Sequence, residues 1–282
     1  MLKIAVPNKG SLADAAAQML QEAGYRQRRS AKDLVVLDAD NGVELFYLRP
    51  RDIAIYVGEG TLDVGITGRD LLLDSGASAT EVMPLGFAAS TFRYAAPTGT
   101  MSDTADLAGA RIATSYPGIV ERDLTARGID ATVVRLDGAV ESSVRLGVAD
   151  AIADVVETGS TLRQADLEVF GDPILASEAV LVTHARGDEP AEGFDVFKRR
   201  LDGVIAARNY VMVEYDIPSD LVDRAVELTP GMDSPTISPL RLEGWVEVRS
   251  MVPRDAAQKI MDGLYDLGAR GILVTDILAC RV

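Results

Sequence analysis

The chain has 282 residues, 48% hydrophobic, 25% charged and 5% aromatic, which is enough for two or three domains with buried cores. Its formal net charge of -15 argues against a general nucleic-acid binder, because such proteins present a basic surface to phosphates. No apolar run reaches membrane-spanning length, and the opening MLKIAVPNKGSL lacks the apolar core of a signal peptide. We therefore expect a cytoplasmic protein that binds no membrane.

Cysteine and histidine are too scarce for several kinds of chemistry. A single cysteine, Cys280, excludes an internal disulfide and a cysteine-based metal cluster. The one histidine, His184, follows an apolar run, and we expect it to be structural or solvent-facing. A phosphorylated small substrate stays open, but in so acidic a chain it needs a locally basic pocket and a divalent cation.

The first third of the chain alternates predicted strands and helices, as expected of an α/β fold. In chain order these are strand LKIAVP, helix SLADAAAQMLQEAG, an irregular polar piece, strand VELFYLRP, helix RDIAIYVGEG, strand LDVGITG, helix RDLLLDSG and the strand-like residues 85–97.

A second set of α/β units follows, so the two halves resemble two similarly built lobes with a cleft between them. Its elements are strand RIATSYP, helix GIVERDLTARG, strand ATVVRLD, helix GAVESSVRLGVA and strand DAIADVV. We predict a first lobe of residues 1–90, with a return segment of about 185–208, and a second lobe of residues 91–184.

The final third changes pattern after the predicted helix EGFDVFKRRLDGVIAARNY, which carries Phe197, Leu201, Val204 and Ile205 on one face. Residues 209–282 then read β-α-β-β-α-β, the pattern of a small ferredoxin-like domain. From the residues alone, such a domain either binds a ligand or serves dimerisation or stability.

The segment ADVVETGSTL, residues 153–162, joins a strand end to a helix start, where α/β sheets bind ligands. The side chain of Asp154 either has a structural role, as a cap or as the ion-pair partner of a nearby basic residue, or accepts hydrogen bonds from the vicinal hydroxyls of a sugar. The loop Glu157, Thr158, Gly159, Ser160 and Thr161 fits a phosphate, although Thr158 as a plain helix N-cap is an equal alternative. The glycines of VGEGTLDVG do not have the G-x-G-x-x-G spacing of a dinucleotide-binding motif, and the phosphate-binding motif G-x-x-x-x-G-K-[ST] does not occur.

Glu141 lies four residues before Arg145 on a predicted helix, so a surface ion pair is its default role. The alternative is a second carboxylate for a sugar. The wider segment ESSVRLGVADAIADVVETGSTL, residues 141–162, resembles the signature of the ATP phosphoribosyltransferase family. VPNKGSL, YLRPRDIAIYVGEGTLDVGITGRDLL, RIATSYP and SPTISP extend the resemblance to the long form of that family over nearly the whole chain.

The resemblance implies a two-lobed body similar to periplasmic binding proteins, with a C-terminal ferredoxin-like (ACT/PII-like) regulatory domain. It implies that ATP and phosphoribosyl pyrophosphate (PRPP) give N1-(5-phosphoribosyl)-ATP and pyrophosphate with Mg2+, the first step of histidine biosynthesis. Carried onto this chain, it assigns Glu141, Asp154 and the loop from Glu157 to Thr161 to PRPP. It assigns Lys9 and Arg49 to catalysis beside the phosphates, and Gly10, Gly68, Arg69, Asp70 and Tyr116 to ATP. Tyr116 serves equally well as plain core.

For the C-terminal domain the resemblance implies feedback inhibition by L-histidine and a homo-oligomer, with dimers and hexamers. The matching positions are Asp216, Ser234, Thr236 and Gly271, which offer a carboxylate for an amino group and hydroxyls for a carboxylate. Deletion of the residues beyond about Tyr210 should then abolish inhibition.

Three rival interpretations remain at this point. A non-enzymatic two-lobed small-molecule binding protein would turn nothing over, and the sugar-phosphate loop argues against amino-acid capture. An enzyme such as a prephenate dehydratase leaves Thr158 to Thr161 without a role. A phosphoribosyltransferase acting on another base would use the same chemistry, and only the full-length resemblance to the ATP phosphoribosyltransferase family argues against it.

Overall fold

In the computed structural model, residues 1–30, 32–184 and 191–281 are described. The chain divides into two compact units, Met1–Gln18 with Tyr25–Phe194, and Met19–Gly24 with Asp195–Val282. Within the described residues, no helix is both long and apolar enough to cross a membrane.

The first unit contains two β-sheets with helices between their strands. Its first elements are β1 (Leu2–Pro7), α1 (Ser11–Glu22, whose end belongs to the second unit), β2 (Val35–Asp38), β3 (Val43–Leu48), α2 (Pro50–Gly58), β4 (Val64–Gly68), α3 (Arg69–Ser75), β5 (Ala79–Pro84) and β6 (Ser90–Pro97). The next are β7 (Arg111–Thr114), α4 (Pro117–Arg127), β8 (Thr132–Arg135), α5 (Ser142–Arg145), β9 (Ala151–Val156), α6 (Ser160–Gln164), β10 (Leu167–Ser177) and β11 (Ala179–His184).

The first sheet has the order β2-β3-β1-β4-β11-β5, in which β3, β1 and β4 run parallel. Its central strands are buried on both faces, which explains the continuous apolar run of β1, where Ile4, Ala5 and Val6 are fully buried. Gly65 in β4 is required by close packing, because a Cβ there would lie 2.5 Å from Ile53 of α2.

The second sheet has the order β10-β6-β9-β7-β8, with β9, β7 and β8 parallel. The chain leaves the first sheet between β5 and β6 and returns to it between β10 and β11, so two crossings connect the sheets. This two-sheet plan is that of periplasmic binding proteins, and the predicted fold class is confirmed. It brings the carboxyl ends of both parallel strand sets to the site described below.

Three local predictions in this unit need correction. The helix predicted over residues 138–149 is only the single turn α5, because Gly138 and Gly147 adopt φ values of 128° and 72°, outside the helical range. The irregular polar piece contains edge strand β2. The extended segment predicted over residues 85–97 is a strand only from Ser90, while β5, which precedes it, was not predicted.

The second unit ends in a four-stranded antiparallel sheet of order β13-β14-β12-β15, the arrangement of a ferredoxin-like fold. Its core consists of Val213, Tyr215, Val248 and Leu264 with their neighbours. Its elements are α7 (Phe194–Asn209), β12 (Tyr210–Pro218), α8 (Val222–Leu228), β13 (Thr236–Pro239), β14 (Trp245–Pro253), α9 (Ala257–Leu267) and β15 (Arg270–Asp276), with one 3-10 turn before each of α8 and α9.

Apart from its first residue, α7 belongs by its contacts to the second unit, and its predicted apolar residues Phe197, Leu201 and Val204 are buried. Within the predicted return segment of about 185–208, residues 185–190 lie outside the described residues. The three domain boundaries drawn from the sequence stay predictions.

Candidate active site

A cavity of about 600 Å³ lies where strand ends from both sheets of the first unit meet. Four cationic side chains face three acidic ones around it, so the pocket is locally basic in a chain of net charge -15. Of the predicted site residues, Lys9, Arg49, Tyr116 and Asp154 line it. Its other lining residues are Pro50, Arg51, Asp52, Leu71, Ser115, Arg135, Asp137 and Gly138.

Two of the basic residues, Lys9 and Arg49, reach this cavity from just beyond strand ends. Lys9 follows β1, and Arg49 follows β3 at the N-cap of α2, where Pro50 occupies the first helical position. A proline there costs no hydrogen bond and fixes the turn from strand to helix. Both side chains are exposed, as expected for cations that meet a phosphorylated ligand.

Asp154 near the end of β9 has an unusual electrostatic environment. Burial raises the pKa of its carboxyl to about 6; the Val155 N–H, which donates to Oδ1 over 2.8 Å, lowers it. The negative charges of Glu141 and Asp70 raise it further, and the Arg51 guanidinium lowers it. A carboxyl in a cavity whose pKa is strongly raised by burial and by neighbouring charges is a frequent feature of functional sites.

Tyr116 connects the cavity to the core of the first unit. Burial raises the pKa of its hydroxyl, as do the charges of Asp70 and Asp154 and a hydrogen bond to Asp70, so the phenol stays neutral. The hydroxyl of Ser177 donates in turn to Asp70 Oδ1 over 2.9 Å. The ring also packs edge-on against Phe92, with centroids 5.2 Å apart. Tyr116 is therefore both a core residue and a cavity residue.

Gly68 and Arg69, at the start of α3, have close structural partners. A Cβ on Gly68 would lie 2.2 Å from Asp70 Oδ1, so glycine makes room for the Asp70 carboxylate. Arg69 donates to both Glu81 oxygens over 2.7 and 2.8 Å and to Glu178 over 3.4 Å. The hydrogen bonds to Glu81 raise the pKa of its guanidinium. Their ATP roles stay predictions.

The loop from Glu157 to Thr161 turns at Gly159, which has a φ of 67°. Glycine adopts this left-handed conformation without strain, because it has no Cβ. Thr158 is not the N-cap of α6, which is Gly159 without a side-chain cap. The Thr158 hydroxyl contacts the Ser160 hydroxyl over 3.1 Å and accepts from the Ser160 N–H over a long 3.4 Å. Simple helix capping is therefore a weak explanation for this run of hydroxyls.

Glu141 and Thr161 line a second cavity of about 800 Å³, together with Arg145 and Gln164. No ion pair joins Glu141 to Arg145 in the described part of the chain, although the sequence offered that pairing as the default. The charge of Glu141 instead acts on Asp154, whose pKa it raises. The two predicted sugar carboxylates thus lie within electrostatic range of each other.

In the second unit, the four residues predicted for L-histidine fall into two pairs. The carboxylate of Asp216 lies 3.6 Å from the position that a Cβ on Gly271 would occupy. Asp216 is therefore next to the Gly271 backbone. Ser234 and Thr236 line a cavity of about 490 Å³ with Arg249. Asp216 and Gly271 do not line this cavity.

Sequence reasoning missed several residues of the first cavity. Ser115 and Asp137 follow strand ends in the same way as Lys9 and Arg49, whereas Arg135 is the last residue of β8 and Arg51 lies in the first turn of α2. Proximity to the carboxyl end of a strand is the signal that could have found them. Asn8, beside Lys9, has its Oδ1 buried without a hydrogen-bond partner in the described structure.

Metal binding by protein ligands alone has no candidate here, because the described residues contain no group of three His, Cys, Asp or Glu that could hold a metal ion. Mg2+ commonly keeps water and phosphate ligands and takes only one or two carboxylates. Asp52, Asp137 and Asp154 are the carboxylates at the cavity wall that could supply such ligands.

A basic cavity at the carboxyl ends of parallel strands, without a histidine or cysteine at its wall, is typical of an enzyme that aligns substrates and neutralises phosphates. Two family models match the chain: "ATP phosphoribosyltransferase" over residues 49–203 and "HisG, C-terminal domain" over residues 207–279. The chain belongs to the ATP phosphoribosyltransferase family, and its C-terminal domain is that of the long form.

Full-length relatives agree with this assignment. The chain is 63% identical to the ATP phosphoribosyltransferase of Pseudarthrobacter chlorophenolicus and 64% identical to that of Kocuria rhizophila, with 100% of each chain covered. A solved chain titled "ATP phosphoribosyl transferase (HisG:HisZ) complex", from Thermotoga maritima, is 28% identical with a TM-score of 0.63. That match covers 73% of this chain and 98% of the solved chain. The family predicted from the sequence is confirmed, and the chain is an enzyme of the transferase class.

Proposed function

We propose that this chain joins N1 of ATP to C1 of PRPP, giving N1-(5-phosphoribosyl)-ATP and pyrophosphate, as the first step of L-histidine biosynthesis. The observation that carries the proposal is the basic cavity, in which Lys9, Arg49, Tyr116 and Asp154 come together in a family member of strongly acidic net charge. The proposal predicts that these four residues act on the two substrates.

In the proposed reaction the C1–N1 bond forms while the bond from C1 to the pyrophosphate oxygen breaks, and the electron pair leaves with pyrophosphate. No protein nucleophile is needed, in agreement with a cavity without cysteine or histidine. Positive charge develops at C1, as in glycoside transfer. Lys9 and Arg49 would neutralise the leaving group, and Mg2+ on the phosphates would add to that neutralisation.

Asp154 and Glu141 would hold the ribose hydroxyls of PRPP, and residues Glu157 to Thr161 would bind its 5-phosphate. The half-buried Asp154 supports this role, because an ionised carboxylate accepts two hydroxyl hydrogen bonds without donating any. The left-handed Gly159 turns the backbone of an exposed loop rich in hydroxyls. ATP would lie against Gly10, Gly68, Arg69, Asp70 and Tyr116.

The test mixes purified protein with ATP, PRPP, Mg2+ and pyrophosphatase and follows phosphoribosyl-ATP by its ultraviolet absorbance. Matched reactions replace ATP by GTP or by adenine. Turnover with ATP, but not with GTP or adenine, supports the proposal. Turnover only with another base, or none with any, overturns it.

We also propose that residues 209–282 form a regulatory domain that binds L-histidine through Asp216, Ser234, Thr236 and Gly271. The catalytic lobes would be residues 1–90, with a return of about 185–208, and residues 91–184, in a cytoplasmic homo-oligomer of dimers and hexamers. The position of Asp216 next to the Gly271 backbone supports a site for an amino group.

Inhibition by L-histidine tests this regulatory proposal. In Asp216→Asn, the concentration of L-histidine that halves turnover should rise at least tenfold, while turnover without L-histidine stays that of the wild type. Asp220→Asn, an exposed acid four residues away, is the control and should keep full inhibition. Equal inhibition of both variants would place the histidine site elsewhere.

A further inference from the structure

Asp74, near the C-terminal end of α3, uses both oxygens of a side chain that is only 8% exposed. Its Oδ2 accepts from Arg51 Nη1 over 2.9 Å. Its Oδ1 accepts from the backbone N–H groups of Gly118 over 2.8 Å and Ile119 over 3.3 Å. One carboxylate therefore contacts α2 beside the first sheet and α4 beside the second.

The N-terminus of α4 depends on this contact. Tyr116 at the N-cap gives no side-chain cap, and Pro117 has no N–H, so the N–H groups of Gly118 and Ile119 need another acceptor. Asp74 supplies it from outside the helix, and its negative charge suits a helix N-terminus. Gly118 is required for the approach, because a Cβ there would lie 2.5 Å from the Asp74 carbonyl oxygen.

The same carboxylate holds a wall of the cavity. The Arg51 guanidinium lies over the Tyr116 ring, with Cζ 4.9 Å from the centroid, and both residues line the cavity. Tyr116 immediately precedes α4, whose first N–H groups bind Asp74. Asp74 thus fixes both the cation and the backbone next to the aromatic ring.

We propose that Asp74 is a positioning residue, which holds Arg51 and Tyr116 in the geometry that aligns the two substrates. This inference rests on the proposed function. Asp74 does not line the cavity itself, so it acts through Arg51 and Tyr116 rather than on substrate. A displacement of about 1 Å in such a wall is enough to cost a large factor in rate.

Two variants separate its contacts. Asp74→Asn keeps an oxygen for the Gly118 N–H and removes the charge that holds Arg51, and we expect kcat to fall about tenfold with both KM values within about threefold. Asp74→Ala removes both contacts, and we expect a fall of about a hundredfold.

Asp123→Asn is the matched control. Asp123 lies on α4, is 14% exposed, and accepts from Arg127 and from the Tyr94 hydroxyl over 2.9 Å each, away from the cavity. It should lower the unfolding temperature about as much as Asp74→Asn and leave kcat unchanged. If Asp74→Asn also leaves kcat unchanged well below its unfolding temperature, Asp74 is merely structural and the inference fails.

A crystal structure of Asp74→Asn separates this inference from the proposed function. Should the wild type form no phosphoribosyl-ATP, the function fails, but the position of Arg51 still decides the role of Asp74. An Arg51 guanidinium displaced from the Tyr116 ring supports the inference, and an unmoved one overturns it.

Discussion

The two ends of strand β9 carry aspartates with opposite electrostatics. Asp150, just before the strand, is exposed, and its hydrogen bonds with Arg111 lower the pKa of its carboxyl to about 2. Asp154, four residues on, is half-buried, and burial raises the pKa of its carboxyl to about 6. Asp150 therefore stays ionised in mildly acidic solution, whereas Asp154 takes up a proton near pH 6.

The difference follows the general asymmetry of α/β sheets, whose ligands bind at the carboxyl ends of parallel strands. Asp150 at the amino end forms an ion pair with Arg111. Arg111 begins β7, so this pair joins β7 to the start of β9. Among the described residues, no ion pair includes Asp154 at the carboxyl end, so its charge is open to a ligand. We infer that the first aspartate serves the fold and the second serves the reaction.

The largest expected effect separates these two roles by mutation. Asp154→Asn should lower kcat/KM for PRPP by at least about a hundredfold, because an uncharged amide is a weaker acceptor and has one acceptor oxygen for the two ribose hydroxyls instead of two. Its unfolding temperature should not fall. Steady-state kinetics and thermal unfolding of the purified variant measure both.

Asp150→Asn is the control at the other end of the strand. It should keep kcat/KM within about twofold of the wild type, because Asp150 does not line the cavity, and lose stability with its Arg111 pair. Wild-type kinetics in Asp154→Asn, or a similar loss in both variants, would remove the distinction between the strand ends.

The pH dependence of the wild-type reaction should show the ionisation of Asp154. Only the carboxylate accepts two hydroxyl hydrogen bonds, so kcat/KM for PRPP should fall about tenfold per pH unit below pH 6, where Asp154 becomes protonated. Asp154→Asn should lose this acidic limb, whereas Asp150→Asn should keep it. An acidic limb that survives in Asp154→Asn belongs to another group.

Stability should respond to pH in opposite directions at the two ends. The pKa of Asp154 is raised from 3.8 to about 6, so its favourable contribution is complete below pH 3.8 and is lost as pH rises through 6. Above pH 6, Asp154→Asn should therefore be more stable than the wild type, by at most about 3 kcal/mol.

Asp150 has the reverse dependence, because its pKa is lowered from 3.8 to about 2. Its contribution is present above pH 3.8 and lost as pH falls through 2, so the destabilisation of Asp150→Asn should disappear towards pH 2. Unfolding midpoints of the three proteins between pH 2 and 8 measure both trends. Parallel curves for the two variants would contradict the comparison.

Most of the fold could be predicted from the sequence, because periodicity and glycine stops mark long elements well. β1 and α3 appear where the pattern indicates them, and the β-α-β-β-α-β order predicted for residues 209–282 is observed. The failures are local. Edge strand β2 has only four residues, VVLD, inside an otherwise polar and irregular segment. The glycines that flank residues 139–146 reduce a helical pattern to one turn.

The site could be predicted only where a motif or a strand end marked it. Lys9, Arg49, Tyr116 and Asp154 share a cavity, but no pattern in the sequence indicates that Asp74 contacts Arg51 and the start of α4. That contact joins residues 23 and 44 positions apart. Such pairings arise from tertiary packing, which local propensity does not encode.

The smallest expected effect concerns the coupling between Glu141 and Asp154. Glu141 raises the pKa of Asp154, so Glu141→Gln should stabilise the Asp154 anion and move the acidic limb of kcat/KM to lower pH, by about half a unit. Glu121→Gln, an exposed acid on α4 that does not line the cavity, should leave the limb in place. Since Glu141 would also bind PRPP, the magnitude of kcat/KM should fall as well, but only the midpoint of the limb reports the electrostatic coupling. An unchanged midpoint would mean that Glu141 does not act on Asp154, and the high pKa of Asp154 would then come from burial and the charge of Asp70.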